Sequence, residues 1–321
     1  MLPTMMDLVR KLDGKGKIAA VAEVLEETNE ILEDLVTVEC NQGTGHKTVI
    51  RTGLPESTWR KLNYGVQPSK STSKPVTDAC GMLEAYADID ASIVNINNNK
   101  AEFRFDEDKT FIESMNQKMA ASLFYGDTAT NPERFVGLSP RFDLKSAENG
   151  GQIVDAAGET TLTSVWLVVW APNLTHTIYP AGSKVGLSIE DKGQVSLYDA
   201  AGGKYEGYST HYKWDIGLAV RDWRYVVRIA NINTANLISG TGAADLVKLM
   251  VQADESIPNL KAGRAAWYGN KIVRTALRNQ INAKVGNNLT WDTVAGKRVL
   301  AFDEIPFRRC DQIISTETKI V

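Results

Sequence analysis

The residues able to do chemistry are few and widely separated. The chain carries three histidines, His46, His176 and His211, and three cysteines, Cys40, Cys80 and Cys310. A structural zinc site needs closely spaced pairs such as CxxC, and a zinc protease needs HExxH; neither pattern is present. Gly43-Thr44-Gly45-His46-Lys47-Thr48 has some residue types of a phosphate-binding loop. His46, however, stands where that loop needs glycine before its lysine, so a hairpin turn is the expectation. Neither a GxSxG nucleophile turn nor a dinucleotide-binding GxGxxG is found. Nothing points to a Cys–His or Ser–His pair. Asp215 and Asp222 sit on a strand pattern among basic neighbours, which reads as a solvated or interface ladder. The expectation is therefore no catalytic residue, no cofactor and no metal.

Bulk properties are close to a globular average and exclude several classes. The 321 residues exceed the size at which one hydrophobic core stops growing, so two lobes are expected. A net charge of −3 is unlike the basic balance of a dedicated nucleic-acid binder. Cysteines 40 and 230 positions apart give no disulfide scaffold, which fits a reducing compartment. The start of the chain lacks a signal-peptide core, and no run of about 18 apolar residues could span a membrane.

The elements that must position these residues follow from periodicity. Residues 1–36 read as an amphipathic helical arm, with Ile18, Val21, Leu25, Leu32 and Leu35 at steps of three and four. Its four basic side chains face eight acidic ones. Thr37–Cys40 and Lys47–Arg51 look like two strands around a glycine-bearing turn, followed by a polar tip at 67–75. The segment 40–75 is basic, with Lys47, Arg51, Arg60, Lys61, Lys70 and Lys74 against Glu56. A hairpin with so few buried positions must lean on a neighbour.

Residues 106–125 form the clearest helix. Asp106-Glu107-Asp108 would sit at its N-terminal end, complementing the helix dipole, and Gly126 at its C′ position. Phe111, Ile112, Met115, Met119, Ser122 and Leu123 share one face, a stripe that reads as core packing. Residues 161–170, apolar on both faces, read as a central strand of a covered sheet. Over 208–232 the alternation slips by one residue, which implies a bulge or tight turn near Arg221-Asp222, with Arg224 and Arg228 on the polar face of the second strand. Helices are expected at 243–253, capped by Thr241, and at 271–284, with a last strand at 299–302.

At TIYPAGSKVGL (177–187), YSTHYKWDIGLAVRDWRYVVRIANI (208–232), RAAWYGNKIVRTALR (264–278) and VLAFDEIPFRRCDQI (299–313) the chain resembles the major capsid proteins of tailed double-stranded DNA bacteriophages, especially short-tailed ones. The resemblance implies an α+β protein of the Hong Kong 97-type capsid fold. It divides the chain into an N-terminal arm (1–36), an extended E-loop (37–90), a P-domain with a spine helix (91–126 and 205–235) and an A-domain (127–204 and 236–321). It implies self-assembly as hexamers and pentamers into an icosahedral shell around packaged DNA, in a virion assembled in the bacterial cytoplasm. Scaffolding and portal proteins, an external decoration protein and sequence-independent contact with double-stranded DNA are the implied partners. Within that plan Arg51, Arg60, Lys61, Lys70 and Lys74 of the E-loop would face Glu102, Asp106, Glu107 and Asp108 of a neighbour's spine helix, with Trp59 as apolar anchor and the arm glutamates as competing partners. An encapsulin-like nanocompartment shell, or a soluble enzyme with an unrecognised site, are the alternative readings.

Overall fold

The structure, a computed structural model, describes residues 27–43, 45–96, 100–283, 289–294 and 297–321. In chain order it begins with α1 (Ile31–Asp34), β1 (Thr37–Glu39), β2 (Gly45–Gly53), β3 (Thr72–Ala79), β4 (Gly81–Asp90), α2 (Ala91–Ile96) and the long α3 (Lys100–Tyr125). There follow β5 (Ile153–Asp155), β6 (Leu162–Trp170), β7 (Thr175–Tyr179), β8 (Ser188–Tyr198), β9 (Lys204–Val220) and β10 (Val226–Asn233). The last third holds α4 (Thr234–Ser239), α5 (Leu246–Asp254), β11 (Arg264–Gly269), α6 (Lys271–Ala283), β12 (Leu289–Val294), β13 (Lys297–Phe302) and β14 (Ile305–Arg309).

Strand β6 is the centre, buried at all nine positions as its apolar run requires. It pairs antiparallel with β10 on one side and with β11 on the other, while β14 extends the sheet beyond β11. Successive side chains of a strand point to opposite faces. Val165, Leu167 and Val169 therefore enter one core with Leu246 and Met250 of α5 and Val273 and Leu277 of α6. Trp166, Val168 and Trp170 enter the other, with Met119, Leu123 and Phe124 of α3.

At the end of β6 the chain turns into β7, which pairs with β1 in parallel and β9 antiparallel. Strand β9 is seventeen residues long and leaves the central sheet to pair with β4 and β8 in an outer ribbon. Helix α3, about 39 Å long at 1.5 Å per residue, spans both regions. Its Phe103 packs on Ile89 and Val94, its Met115 on Ala87 and Tyr212, and its Met119 on the central sheet. The Met–Phe stripe is thus core packing.

Several expectations need correction. The first hairpin is not 37–51: β1 pairs with β7, and β2 pairs with β3 from Gly45↔Ala79 to Gly53↔Thr72. Residues 72–75, read as polar tip, are strand because their backbone completes that ladder. Helix α3 starts six residues earlier than expected, so Asp106, Glu107 and Asp108 occupy its second and third turns. Gly126 shows no left-handed backbone; it is required by close approach, since a Cβ there would lie 2.4 Å from the Phe135 carbonyl oxygen. Of the arm, Leu32 and Leu35 pack against the central core, and among its described residues, 27–36, helix is the single turn α1. Ile18, Val21 and Leu25 lie outside the described residues. The cap of α5 is Asp245, accepting the Lys248 N–H, instead of Thr241. The tight turn between β9 and β10 is present as a 3-10 turn over Trp223–Tyr225, capped by Asp222.

Arg228 is the sharpest departure, because the face opposite Val227 and Ile229 is covered too. Its guanidinium is buried at 2.9 Å from Glu317, donates to the Ser164 hydroxyl and the Phe142 carbonyl, and stacks 4.9 Å from the Trp166 ring centroid. The C-terminal tail thereby closes over the sheet.

Candidate functional site

Strands β2 and β3 form a two-stranded ribbon outside the main sheet, joined by residues 54–71, which have no regular structure apart from a turn at 62–63. A ribbon of this kind is marginal by itself. Its root is held to the body by buried polar groups. Asp78 accepts an Arg141 N–H at 2.7 Å, and the same nitrogen donates to the Leu218 and Val136 carbonyls.

Beside that pair, His46 is buried against His176, ring centroids 5.5 Å apart and edge to face. Arg221 donates to His46 Nε2 at 3.2 Å. Because arginine has no acceptor, that nitrogen is the unprotonated one and His46 is the neutral Nδ1–H tautomer. Burial first, then the Arg221 charge, lowers the His46 pKa, while Asp78 opposes. His176 is fully buried with neither ring nitrogen hydrogen-bonded; burial, Arg221 and His46 push it down to about 4. Next to these, Cys40 Sγ and Cys80 Sγ lie 3.4 Å apart.

Away from the root the ribbon is bare. Trp59 is 102% exposed, and Leu54, Leu62, Tyr64 and Val66 are exposed with it. Arg51, Arg60, Lys61, Lys70 and Lys74 are exposed as well. Among the described residues no ion pair engages any of these five cations. Arg51 and Lys74 line a groove of about 840 Å3 between ribbon and body, with Arg221, Arg224, Asp222 and Glu148.

The helix side is more occupied. Asp106, Glu107 and Asp108 are half-buried on α3. Asp108 lies beside Tyr212 and Arg104, with burial pushing its carboxyl pKa up. Arg104 in turn pairs with Asp191 at 2.7 Å. The side chain of Glu102 lies outside the described residues. The described arm carboxylates are engaged in their own subunit: buried Asp34 accepts from Tyr268 at 2.8 Å and pairs with Arg264 and Arg308, while Glu30 and Glu33 each lie 3.9 Å from Arg308.

The other chemistry-bearing residues are scattered. His211 stacks on Tyr86 and bonds Glu84, and Cys310 is buried against Asn29. Asp215 pairs with Lys213 and Asp222 with Arg224. The Gly43–Thr48 stretch holds a tight turn, with reciprocal backbone bonds between Gln42 and Gly45. Among the described residues, no group of three or more His, Cys, Asp or Glu could hold a metal, and no helix is long and apolar enough to cross a membrane. Sequence reasoning missed the ribbon's anchors, Asp78, Arg141, His176 and Arg221. Their pairing joins positions up to 175 residues apart, and no local pattern marks it. The exposed Leu54, Leu62, Tyr64 and Val66 did carry a signal, apolar residues dispersed in a glycine- and proline-bearing segment.

The described residues present a projecting ribbon whose tip is exposed and whose root is held by buried polar groups. A family model described as Major capsid protein GP7 matches residues 13–321. The chain is 35% identical to a chain of the near-atomic resolution structure of bacteriophage Epsilon15, with a TM-score of 0.77, covering 100% of this chain and 98% of that one. The bacteriophage JBD30 capsid matches at 8% identity and a TM-score of 0.48, covering 90% and 92%. The SrpI encapsulin of Synechococcus elongatus PCC 7942 matches at 11% and 0.44, covering 72% and 96%; these two distant likenesses carry no argument. No curated protein matches. The α+β fold is of the Hong Kong 97 type, and the role is structural, not enzymatic, with its place in the virion. On the full-length match to Epsilon15 and the family model over nearly the whole chain, this protein belongs to the GP7 family of major capsid proteins and is a subunit of a phage shell.

Proposed function

We propose that the chain assembles as hexamers and pentamers into an icosahedral shell around packaged double-stranded DNA, and that its projecting ribbon is the intersubunit clasp. The observation that carries the clasp is Trp59, fully exposed on a segment whose cations form no ion pair among the described residues. A tryptophan of that size, once covered, removes roughly 150–250 Å2 from water, several kcal/mol per contact at about 25 cal/mol per Å2.

In this reading residues 1–36 are the arm and 37–90 the E-loop, lying over a neighbour's α3. Segments 91–126 and 205–235 form the P-domain, and 127–204 with 236–321 the A-domain. Arg51, Arg60, Lys61, Lys70 and Lys74 face Glu102, Asp106, Glu107 and Asp108, with Asp108 also beside Tyr212 and Arg104 of its own subunit. Complementary charge sets the register of the contact more than its strength. Scaffolding and portal proteins act during assembly in the host cytoplasm, a decoration protein binds outside, and DNA is touched without base readout.

The double variant Arg60→Glu/Lys61→Glu tests the clasp. Electron microscopy of the expressed protein is expected to show shells of uniform diameter for the parent and few or none for the variant, with the variant subunit still soluble and folded by circular dichroism. A normal shell yield from the variant would sink the clasp. Shells carrying protein cargo in place of DNA in infected cells would favour the nanocompartment reading.

A further inference from the structure

The ribbon's two ends meet at a pair of thiols. Cys40 follows β1, which is fixed to β7, and Cys80 precedes β4, which is fixed to β9. The 39 residues between them contain the whole projecting ribbon. Their sulfurs are 3.4 Å apart, inside a small apolar cluster with Ile178 and Ala219. A disulfide requires about 2.05 Å, so the sulfurs need to approach by only a little over an ångström. Gly217 makes the juxtaposition possible: a Cβ there would meet the Ala79 carbonyl oxygen at 2.6 Å and Cys80 Cα at 3.1 Å. Cys80 is half-buried, whereas Cys40 is buried.

We propose that Cys40 and Cys80 are a dithiol that a thiol oxidant converts to a disulfide, closing a covalent ring at the root of the ribbon. This depends on the ribbon's geometry and not on what its tip contacts. With a small-molecule disulfide as oxidant, the Cys80 thiolate attacks one reagent sulfur, forming a mixed disulfide and releasing one reagent thiolate, which takes up the Cys80 proton. Cys40 then attacks the Cys80 sulfur. The Cys40–Cys80 bond forms, the mixed bond breaks, and the second reagent thiol leaves with the Cys40 proton. Two protein thiols are oxidised and the reagent disulfide is reduced to two thiols. The ring fixes the distance between the end of β1 and the start of β4, so the ribbon can no longer splay at its base.

Burial raises the pKa of both thiols, so exchange is slow at neutral pH and speeds up as the solution is made alkaline. Cys310 is buried elsewhere on Asn29, with its pKa raised to about 12, and is the internal control.

The test treats free subunits and assembled shells of the parent protein with oxidised glutathione at about pH 8.5, then denatures and counts thiols. The expected result is a fall from three free thiols to one in at least one of the two forms, a mass loss of about 2 Da after exchange is complete, and a proteolytic peptide pair joined through Cys40 and Cys80. Cys310→Ser keeps the bridge, and Cys80→Ser abolishes it with its two remaining thiols free. Three free thiols in both forms, a bridge between chains, or a bridge involving Cys310 overturns the proposal.

Discussion

His176 offers the most direct test of how the ribbon's root is held. Its imidazole is fully buried, has no hydrogen-bond partner at either nitrogen among the described residues, and faces Arg221 and His46, so the fold keeps it neutral with a pKa of about 4 against 6.5 ordinarily. The unfolded chain binds a proton below pH 6.5 that the folded chain refuses until about pH 4. Stability is therefore intact above the unfolded pKa and is lost as pH falls through that window. At 1.36 kcal/mol per unit the whole effect is roughly 3 kcal/mol, and about 2 kcal/mol of it has gone by pH 5. His176→Leu removes the titration and two unpartnered buried nitrogens, each of the kind that costs about 1–3 kcal/mol. The variant should match or exceed the parent at pH 7 and lose about 2 kcal/mol less between pH 7 and pH 5. Urea unfolding of unassembled subunits at the two pH values, read by tryptophan fluorescence, gives both numbers. Carboxylates titrating in that range are common to both proteins and cancel. If parent and variant lose the same stability within about 0.5 kcal/mol, His176 is not held neutral and the account of the root is wrong.

Two further outcomes follow from the packing. Arg228→Met should cost about 3–5 kcal/mol, because it strands the Glu317 carboxylate in the interior; the double variant Arg228→Met/Glu317→Gln should recover part of that loss in the same unfolding assay. Gly126→Ala should destabilise by about 2–3 kcal/mol, since its Cβ would collide with the Phe135 and Ser122 carbonyl oxygens, whereas Gly151→Ala, with open space around it, should be close to neutral by thermal melting.

The legible parts of the fold were those whose exposure repeats along one element. An uninterrupted apolar run marked β6, because both faces of a covered strand demand it. Steps of three and four marked the buried face of α3 from Phe111 to Leu123, and the parity slip marked the turn at Trp223–Tyr225. Trp59 and the basic side chains of that segment are exposed, as a stretch with so few core-forming positions requires. Errors came where a local pattern had two structural solutions. The 37–51 stretch reads equally as a hairpin or as two strands in separate sheets, and tertiary pairing chose the second. Arg228 reads as a solvated position until the C-terminal tail brings Glu317 over it, 89 residues away.

Composition and periodicity alone thus marked a covered sheet, a long packed helix and a basic segment exposed to solvent. Those properties depend on side-chain hydrophobicity sampled at a fixed spacing, which a chain displays before it folds. Which strand received β1, which arginine was buried, and how His46, His176, Arg221, Cys40 and Cys80 came to share the root of one ribbon were decided only by the folded backbone. Hydrogen bonding, thiol chemistry and proton affinity act over a few ångströms. Residues far apart in sequence acquire those properties together when the sheet brings them side by side.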